Sequence, residues 1–357
     1  MKEKHYFLGC TSPEGFRTPF AESVSGEDNY TYIIKGTAGS GKSTLMKRVA
    51  EAFPDEEKEI YHCSADPASL DAVYFTKAGV ILLDGTAPHV FEPEQPYITQ
   101  EIVNAGEYLD KKKVSERKYE IISASAKCSS YHRQCAGYVA ALSAVLADMY
   151  RIGDDILDRD MLAAFTKRVC RRILPKSKPD ETGRIYHKQL SAMTPQGYVT
   201  QPTDGYEVYI LRDELGAAAD AFIGALAGKA AERGLGCVVS HNYMHRGDVK
   251  QHLLIPAVNT AFLTADAVCA LSADGAKPID MRRFYDKHGY RAKKARTAFD
   301  RRAVKALSSE AAGALASAKE CHDELEKGYI RAADFTGLDR LRDVLTAEIA
   351  DRIKNKE

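Results

Sequence analysis

The stretch Gly36-Thr-Ala-Gly39-Ser-Gly41-Lys42-Ser43 decides how this sequence is interpreted. It fills every position of the pattern G-x-x-x-x-G-K-[ST], in which glycines let successive backbone N–H groups turn inward around a phosphate. The lysine places a positive charge against the outer phosphates, and the serine hydroxyl is placed to bind Mg²⁺. The stretch therefore predicts a site for a polyphosphate bound together with magnesium.

The residues on both sides of this loop provide the structural context that such a site needs. Residues 31–35 form an apolar run that predicts a buried strand, and residues 43–53 carry apolar side chains at helical spacing before Pro54. The start of the helix adds its positive dipole end to the loop. The predicted nucleotide contacts are Gly36, Thr37, Ala38, Gly39, Ser40, Gly41, Lys42, Ser43 and Thr44.

The composition is that of an ordinary globular chain of 357 residues, with 45% apolar and 28% charged residues. Lys+Arg and Asp+Glu number 50 each, so the net charge gives no signal for a nucleic-acid or anionic-membrane partner. The N-terminal residues are too polar for a signal peptide, and no apolar run approaches the roughly 18 residues of a membrane span. We expect a cytoplasmic protein whose eight cysteines are mostly buried and reduced.

A second acidic element is expected for the metal. Val80-Ile-Leu-Leu-Asp84 is an apolar run ending in a carboxylate, the form of a Walker B strand, and in a parallel sheet its carboxyl end opens toward the phosphates. Ser43 and Asp84 are the predicted magnesium ligands, and Lys42 and Asp84 are predicted to act in catalysis. Gly85 follows where motor and transporter ATPases usually carry a water-activating glutamate, so processive hydrolysis is not expected. The sequence also lacks an N-K-x-D guanine motif, which favours ATP.

The loop His62-Cys63-Ser-Ala-Asp66-Pro-Ala-Ser-Leu-Asp71 follows another predicted strand and should open onto the same crevice. Asp66 is the predicted general base toward an acceptor hydroxyl, and Asp71 is an alternative. His62 or His89 would orient that base or steady transferred charge. Each also has an ordinary structural interpretation, as a turn former, a helix cap or a donor to backbone carbonyls. Nothing in the sequence near Cys63 lowers its pKa, apart from the positive field of the glycine-rich loop.

The chain also repeats itself. The run Ser12-Pro-Glu-Gly-Phe-Arg-Thr18 resembles Thr194-Pro-Gln-Gly-Tyr-Val-Thr200, and Tyr32-Ile-Ile-Lys35 resembles Tyr209-Ile-Leu-Arg212, 177 residues later. Two further strands recur, 59–62 against 237–240 and 80–83 against 259–263. Helical stretches follow in each half, at 115–158 and 161–174 and again at 293–356. We predict two repeats, 1–178 and 179–357, which pack together and are separated by a linker at 175–183.

The second repeat has lost the residues that bind phosphate in the first. At the 177-residue offset Lys42 becomes Ala219, and carboxylates replace a glycine and the serine at Asp213 and Asp220. Carboxylates at a phosphate site oppose polyphosphate binding. The second repeat is therefore predicted not to bind ATP and to serve as a scaffold.

Because of these motifs, residues 30–90 resemble the P-loop NTPase superfamily. The runs G-T-A-G-S-G-K-S-T-L-M-K, H-C-S-A-D-P-A-S-L-D and I-L-L-D-G-T-A-P-H resemble, more closely, an uncharacterised bacterial group of tandem P-loop proteins described as ATP-binding or ATPase-like. The resemblance implies an α/β fold of two tandem P-loop NTPase-type units, each with a mostly parallel sheet in αβα layers and a helical appendage. It implies no particular substrate.

Three functions remain open at this point. The leading hypothesis is a Mg·ATP-binding protein with one active site in the first repeat, acting as a slow ATPase or nucleotide switch beside a pseudo-active second repeat. The first alternative is a small-molecule kinase that uses Asp66 as its base. The second is a non-catalytic ATP-sensing protein that binds another protein.

Overall fold

The computed structural model describes residues 2–23, 28–87, 90–176, 182–272 and 274–356. The chain is an α/β protein with two six-stranded mixed sheets. In the first half the elements are β1 (Glu3–Phe7), β2 (Cys10–Ser12), β3 (Gly15–Arg17), α1 (Phe20–Ser23), β4 (Tyr30–Lys35), α2 (Lys42–Ala52), β5 (Lys58–His62), β6 (Leu70–Phe75), β7 (Val80–Asp84), β8 (Gln100–Asn104), α3 (Lys111–Glu116), α4 (Lys118–Asp155) and α5 (Arg159–Ile173).

Among the described residues, the second half contains the same kinds of element in the same order apart from α1. They are β9 (Ile185–His187), β10 (Ser191–Thr194), β11 (Gly197–Thr200), β12 (Glu207–Arg212), α6 (Ala217–Glu232), β13 (Cys237–His241), β14 (Lys250–Ile255), β15 (Thr260–Ala265), β16 (Lys277–Asp280), α7 (Lys287–Ala292), α8 (Lys294–Ile330) and α9 (Phe335–Lys354). Short 3-10 helices precede α3, β15 and α7.

The first sheet places the end of β4 beside the end of β7. Its strand order is β1-β5-β6-β7-β4-β8. Strand β4 pairs in parallel with β7 and β8, while β6 runs antiparallel to both β5 and β7. Ile34 lies opposite Asp84 in the register. Because parallel strands end at the same edge of a sheet, the glycine-rich loop after β4 and the Asp84 carboxylate share that edge.

The second sheet has the same topology. Its order, β9-β13-β14-β15-β12-β16, matches that of the first sheet strand for strand, with parallel and antiparallel pairings at the same positions. A pair of histidines also recurs: His5 Nδ1 lies 3.0 Å from His62 Nε2, and His187 Nδ1 lies 3.0 Å from His241 Nε2. The structure thus aligns His62 with His241, one residue later than the sequence comparison, which had matched it to Ser240.

The chain divides into two compact units that are not its two halves. One consists of residues 1–8, 24–134 and 313–357, and the other of residues 9–23 and 135–312. The predicted boundary between 178 and 179 lies inside the second of these units, and residues 177–181 of the predicted linker are outside the described part of the chain. Two of the four divisions between units, at 134/135 and 312/313, fall within the long helices α4 and α8.

The final helix of each half belongs to the compact unit that contains the other half's sheet. Helix α5 lies in the unit of the second sheet, and α9 lies in the unit of the first. Leu338, Leu345 and Ile349 of α9 join the buried cluster that contains Leu45 and Met46 of α2. In the other unit Phe165 of α5 packs against Phe222 of α6, with ring centroids 5.7 Å apart. Long helices therefore follow each sheet, as periodicity predicted, but the final helix of each half packs on a helix of the opposite half: α5 on α6 and α9 on α2.

The predicted helices and strands near the loop are found close to their expected bounds. Helix α2 begins at Lys42, one residue before the prediction, and buries Leu45, Met46, Val49 and Ala50. All eight cysteines are free, and five of them are buried. Helix α4 is long and apolar enough to cross a membrane by length and composition alone, a test that core helices of soluble proteins also meet.

Candidate functional site

The glycine-rich loop takes a backbone shape that requires its glycines. Gly39 and Gly41 have φ of 69° and 80°, values that side chains with a Cβ rarely adopt. A Cβ at Gly36 would lie 2.5 Å from Ser40 Oγ, and one at Gly39 would lie 2.8 Å from the Glu326 carbonyl oxygen. Gly41 is the N-cap of α2, so the loop leads directly to the amide end of that helix. The loop has the shape and the helix dipole of an anion site.

Lys42 folds back over the loop beside Asp84. Its ammonium donates to the Thr37 carbonyl at 2.8 Å and lies 3.6 Å from Asp84 Oδ2. The two side chains are 10% and 15% exposed, so their charges are only weakly screened by water. Asp84 Oδ1 accepts from the backbone N–H and the hydroxyl of Thr86. The strand end thus holds a carboxylate in fixed orientation next to the lysine.

Ser43 joins the first turn of α2 to the loop that precedes β6. Its Oγ accepts from the Leu70 N–H at 2.9 Å. A hydroxyl oxygen has two lone pairs, so one remains for another partner such as a metal ion. Leu70 begins β6, and residues 63–69 therefore run beside the Ser43 end of the site.

Some of the remaining loop residues support the turn, and others have groups that could contact a ligand. Ser40 is buried and donates its hydroxyl to the Thr37 carbonyl at 2.9 Å, which supports the turn itself. Thr37 Oγ1 is buried and has no hydrogen-bond partner in the structure. Thr44 is exposed on the first turn of α2, and Ala38 is half-buried. A buried hydroxyl without a partner inside a phosphate-type loop is consistent with a ligand that supplies one.

Asp66 lies close to Lys319, a residue that was not predicted from the sequence to belong to the site. Its Oδ2 accepts from the Ser69 hydroxyl at 2.7 Å and lies 3.6 Å from Lys319 Nζ of α8. Burial lowers the pKa of Lys319, but its hydrogen bond to Asp323 and the charges of Asp66 and Asp323 raise it further than burial lowers it. Asp66 is thus a paired carboxylate on the Ser43 side of the site.

The other residues that the sequence predicted for the site make contacts typical of residues that support the fold. His62 Nδ1 lies 2.9 Å from the Pro67 carbonyl and must donate to it, so His62 Nε2 accepts from His5. Burial lowers the pKa of His62 and raises that of the Cys63 thiol well above its usual value, which makes Cys63 a poor nucleophile. Asp71 is buried in β6. His89 lies outside the described residues.

Helix α8 covers the loop, a feature that sequence reasoning missed. Glu326 Oε1 accepts from the Gly39 N–H at 3.3 Å, and the Ile330 side chain lies against the same glycine. His322, Asp323 and Glu326 have their ligand atoms within 4.8 Å of one another. The sequence indicated only a helical stretch here, and helical spacing alone does not distinguish a site-facing charged stripe from a solvated one.

The loop after β12 shows how the second sheet differs. Asp213, which is 0% exposed, places its carboxylate at the start of α6: Oδ2 accepts from the Ala219 N–H at 2.8 Å, and Oδ1 accepts from the Tyr285 hydroxyl at 2.8 Å. Burial raises the pKa of Asp213, and these hydrogen bonds oppose the increase. A side-chain carboxylate therefore occupies the helix end where a phosphate would bind.

The helix bounds explain this geometry. Gly216 is the N-cap of α6 with φ of 81°, the role that Gly41 has in α2, although the sequence offset aligned Gly216 with Gly39. The second loop is thus shorter than the first before the helix begins. Asp220 lies inside the helix, accepting from the Lys250 N–H at 2.9 Å and the Tyr150 hydroxyl at 2.7 Å. On β15, Thr264 takes the register position of Asp84.

Comparison with known proteins gives no match: no family model, no curated protein and no solved structure is significantly similar to this chain.

Proposed function

We propose that the chain is a cytoplasmic Mg·ATP-binding protein of P-loop NTPase type, with one site at residues 36–44 and a second, pseudo-active P-loop-like unit. The observation that carries the proposal is the Lys42 ammonium, held over a loop with two left-handed glycines and 3.6 Å from the Asp84 carboxylate. A phosphate in the loop would give Lys42 a stronger partner than the Thr37 carbonyl that it now contacts.

The residues fit a magnesium ion bound with the nucleotide. Ser43 keeps a free lone pair, and Asp84 keeps Oδ2 outside its hydrogen bonds to Thr86. Oxygen ligands of this kind suit Mg²⁺, which usually retains several waters beside one or two protein ligands. When bound, the ion would neutralise charge on the β- and γ-phosphates. Lys42 would turn from Thr37 to the phosphates, and Asp84 would hold the metal side.

Slow turnover is the expected consequence of Gly85. A Cβ at this position would lie 2.3 Å from Ile33 Cγ2, so a glutamate could not enter unless the Ile33 side chain moved. The position that activates water in fast ATPases is therefore occupied by a residue without a side chain. This favours a slow ATPase or a nucleotide switch.

The alternative of a small-molecule kinase depends on Asp66. This residue is on the Ser43 side of the site, but its Oδ2 already contacts Ser69 and Lys319. Such a carboxylate must release both partners to accept a proton. The alternative of a non-catalytic sensor needs a movable element next to the phosphate, and the contact between Gly39 and Glu326 of α8 is of that kind.

The shared strand order and the recurring histidine pair support a tandem duplication. The Asp213 carboxylate supports a second unit that does not bind ATP, because the helix amides at its loop already have an internal acceptor. Aspartate and phosphate would compete for the same donors, and the aspartate is covalently present.

Titration calorimetry with Mg·ATP tests the site. We expect one ATP per chain, and Lys42→Ala should abolish detectable binding because it removes the charge at the phosphates. Lys77→Ala, on an exposed turn of the same unit, is the matched control and should bind as the parent does. Unchanged affinity in Lys42→Ala, with a folded protein by circular dichroism, would refute the assignment.

Incubation with γ-labelled ATP and Mg²⁺ separates the three functions. Label in inorganic phosphate supports the ATPase, and label in a new compound when a metabolite pool is added supports the kinase. Binding without turnover supports the sensor.

A further inference from the structure

One face of α8 carries charged residues along the predicted phosphate site. Lys319, Asp323 and Glu326 are spaced by four and three residues, which places them on the same side of the helix. Seven residues of helix span about 10 Å, comparable to a triphosphate with its acceptor group. Contacts at both ends of this segment fix its position, because Glu326 reaches Gly39 and Lys319 reaches Asp66.

Glu326 holds an amide that the loop offers to a phosphate. Its Oε1 accepts from the Gly39 N–H, one of the backbone donors that the glycine-rich pattern turns inward. A phosphate oxygen at that donor would meet a carboxylate, and two like charges at hydrogen-bonding distance repel each other. Polyphosphate binding must therefore move the Glu326 side chain.

Lys319 lies at the opposite end, on the metal side. It is 3.6 Å from Asp66, in the loop that leads to Leu70, and the Leu70 N–H is bound by Ser43. In the proposed site Ser43 would hold the Mg²⁺, and the ion would neutralise charge on the outer phosphates. The terminal phosphate would therefore lie toward the Asp66 and Lys319 end of the segment.

Helix α4 provides an internal comparison. It follows the N-cap Asp110 through α3 as α8 follows Asp286 through α7, so positions 176 residues apart correspond. Tyr150, the counterpart of Glu326, lies over Gly216, since a Cβ there would be 4.0 Å from the tyrosine ring. The counterparts of Lys319 and Asp323 are Ser143 and Ala147. The three positions are thus charged on the helix beside the loop that keeps its lysine, and their counterparts are uncharged in the half that has lost it.

We infer that α8 completes the nucleotide site and sets its preference for ATP over ADP. Lys319 contacts the terminal phosphate, and Glu326 is a resident carboxylate that the nucleotide displaces from Gly39. This inference rests on the proposed function, because it requires a nucleotide at residues 36–44. It adds a specificity-determining lysine and a competing glutamate supplied by the C-terminal part of the chain.

The test measures Kd for Mg·ATP and Mg·ADP in the full chain. Lys319→Met should weaken ATP binding about tenfold or more and leave ADP nearly unchanged, because one charge-assisted contact to the γ-phosphate is lost. Lys319→Arg should retain most of the preference. Lys327→Met is the matched control, since Lys327 lies on the same helix, is exposed and pairs with Glu324.

Glu326→Gln should tighten both nucleotides by roughly tenfold, because the amide oxygen can still accept from Gly39 but no longer repels phosphate. Glu324→Gln is its control and should leave both affinities unchanged.

The outcomes separate the inference from the proposed function. Equal loss of ATP and ADP affinity in Lys319→Met, or no change in the ratio, overturns the role of Lys319. Unchanged or weaker binding in Glu326→Gln overturns the displacement. If the parent protein binds neither nucleotide, the proposed function fails and the inference fails with it. If binding is present and depends on Lys42, failure of the α8 variants concerns the inference alone.

Discussion

At the scale of single residues, the two loops show how one carboxylate changes an anion site. The sequence predicted that Asp213 opposes phosphate, and its buried contact with the Ala219 N–H gives that prediction a geometry. The sequence could not predict that Tyr285, 72 residues later, donates to the same carboxylate. Motif residues adjacent in the chain can be found by pattern, whereas Tyr285, like Lys319 and Glu326, reaches its loop only through the fold.

His252 makes the second unit sensitive to acid. Its Nδ1 accepts from the Thr264 N–H at 3.1 Å, so Nε2 carries the proton and donates to Ser191 Oγ at 2.7 Å. Protonation of Nδ1 would set two N–H groups against each other. Burial lowers the pKa of His252 to about 3, well below the unfolded value of about 6.5. The stability that depends on neutral His252 is present above pH 6.5 and is lost as the pH falls toward 3.

We therefore predict that the free energy of unfolding falls by about 2 kcal/mol between pH 7 and pH 5 through His252 alone. Urea denaturation at both pH values measures this change. His252→Gln removes the titrating group and should show a smaller pH dependence, although it is less stable at pH 7. A pH dependence as steep as that of the parent would contradict the assignment.

At the scale of elements, local pattern predicted each segment near the site but not what covers it. Strands β4 and β7 and helix α2 follow from apolar runs and their spacing, because burial on a sheet and helix periodicity are local properties. Helix α9 has an equally clear apolar stripe. An apolar stripe indicates that one face of a helix is buried, but it does not indicate which element packs on that face. The packing of α9 on α2 could therefore not be predicted from the sequence.

Leu345 tests this packing. It is buried in the cluster around α2, whereas its neighbour Val344 is 54% exposed. We predict that Leu345→Ala lowers the free energy of unfolding by about 2–4 kcal/mol, from lost burial and a cavity, and that Val344→Ala changes it by less than about 0.5 kcal/mol. Denaturant unfolding measures both. Equal small effects would show that α9 does not stabilise this unit.

At the scale of the whole molecule, the two halves in which a few strands matched by sequence contain sheets of the same topology. Both sheets have the same strand order, and a hairpin with a left-handed glycine recurs at Gly15 and Gly197. The predicted halves nevertheless do not coincide with the compact units. The final helix of each half could pack on its own half or on the other half, and it would bury the same face on an equivalent surface in both cases. The local sequence patterns are therefore the same for both arrangements. Sequence periodicity therefore cannot distinguish exchanged from unexchanged packing.

This arrangement leads to a prediction about where nucleotide acts. Mg·ATP at about 100 times its Kd stabilises the structure that binds it by about 2.7 kcal/mol. We expect slower hydrogen exchange at residues 36–50 and, because α8 covers the same loop, at residues 319–330. Residues 213–225 should exchange at an unchanged rate, since the Asp213 carboxylate already accepts from the Leu215 and Ala219 N–H groups at this loop. Exchange measured by mass spectrometry, with Lys42→Ala as control, reads the three segments in one experiment. Protection of residues 213–225 would mean that the second loop binds nucleotide. Protection of residues 36–50 with no protection of residues 319–330 would mean that α8 is not part of the site.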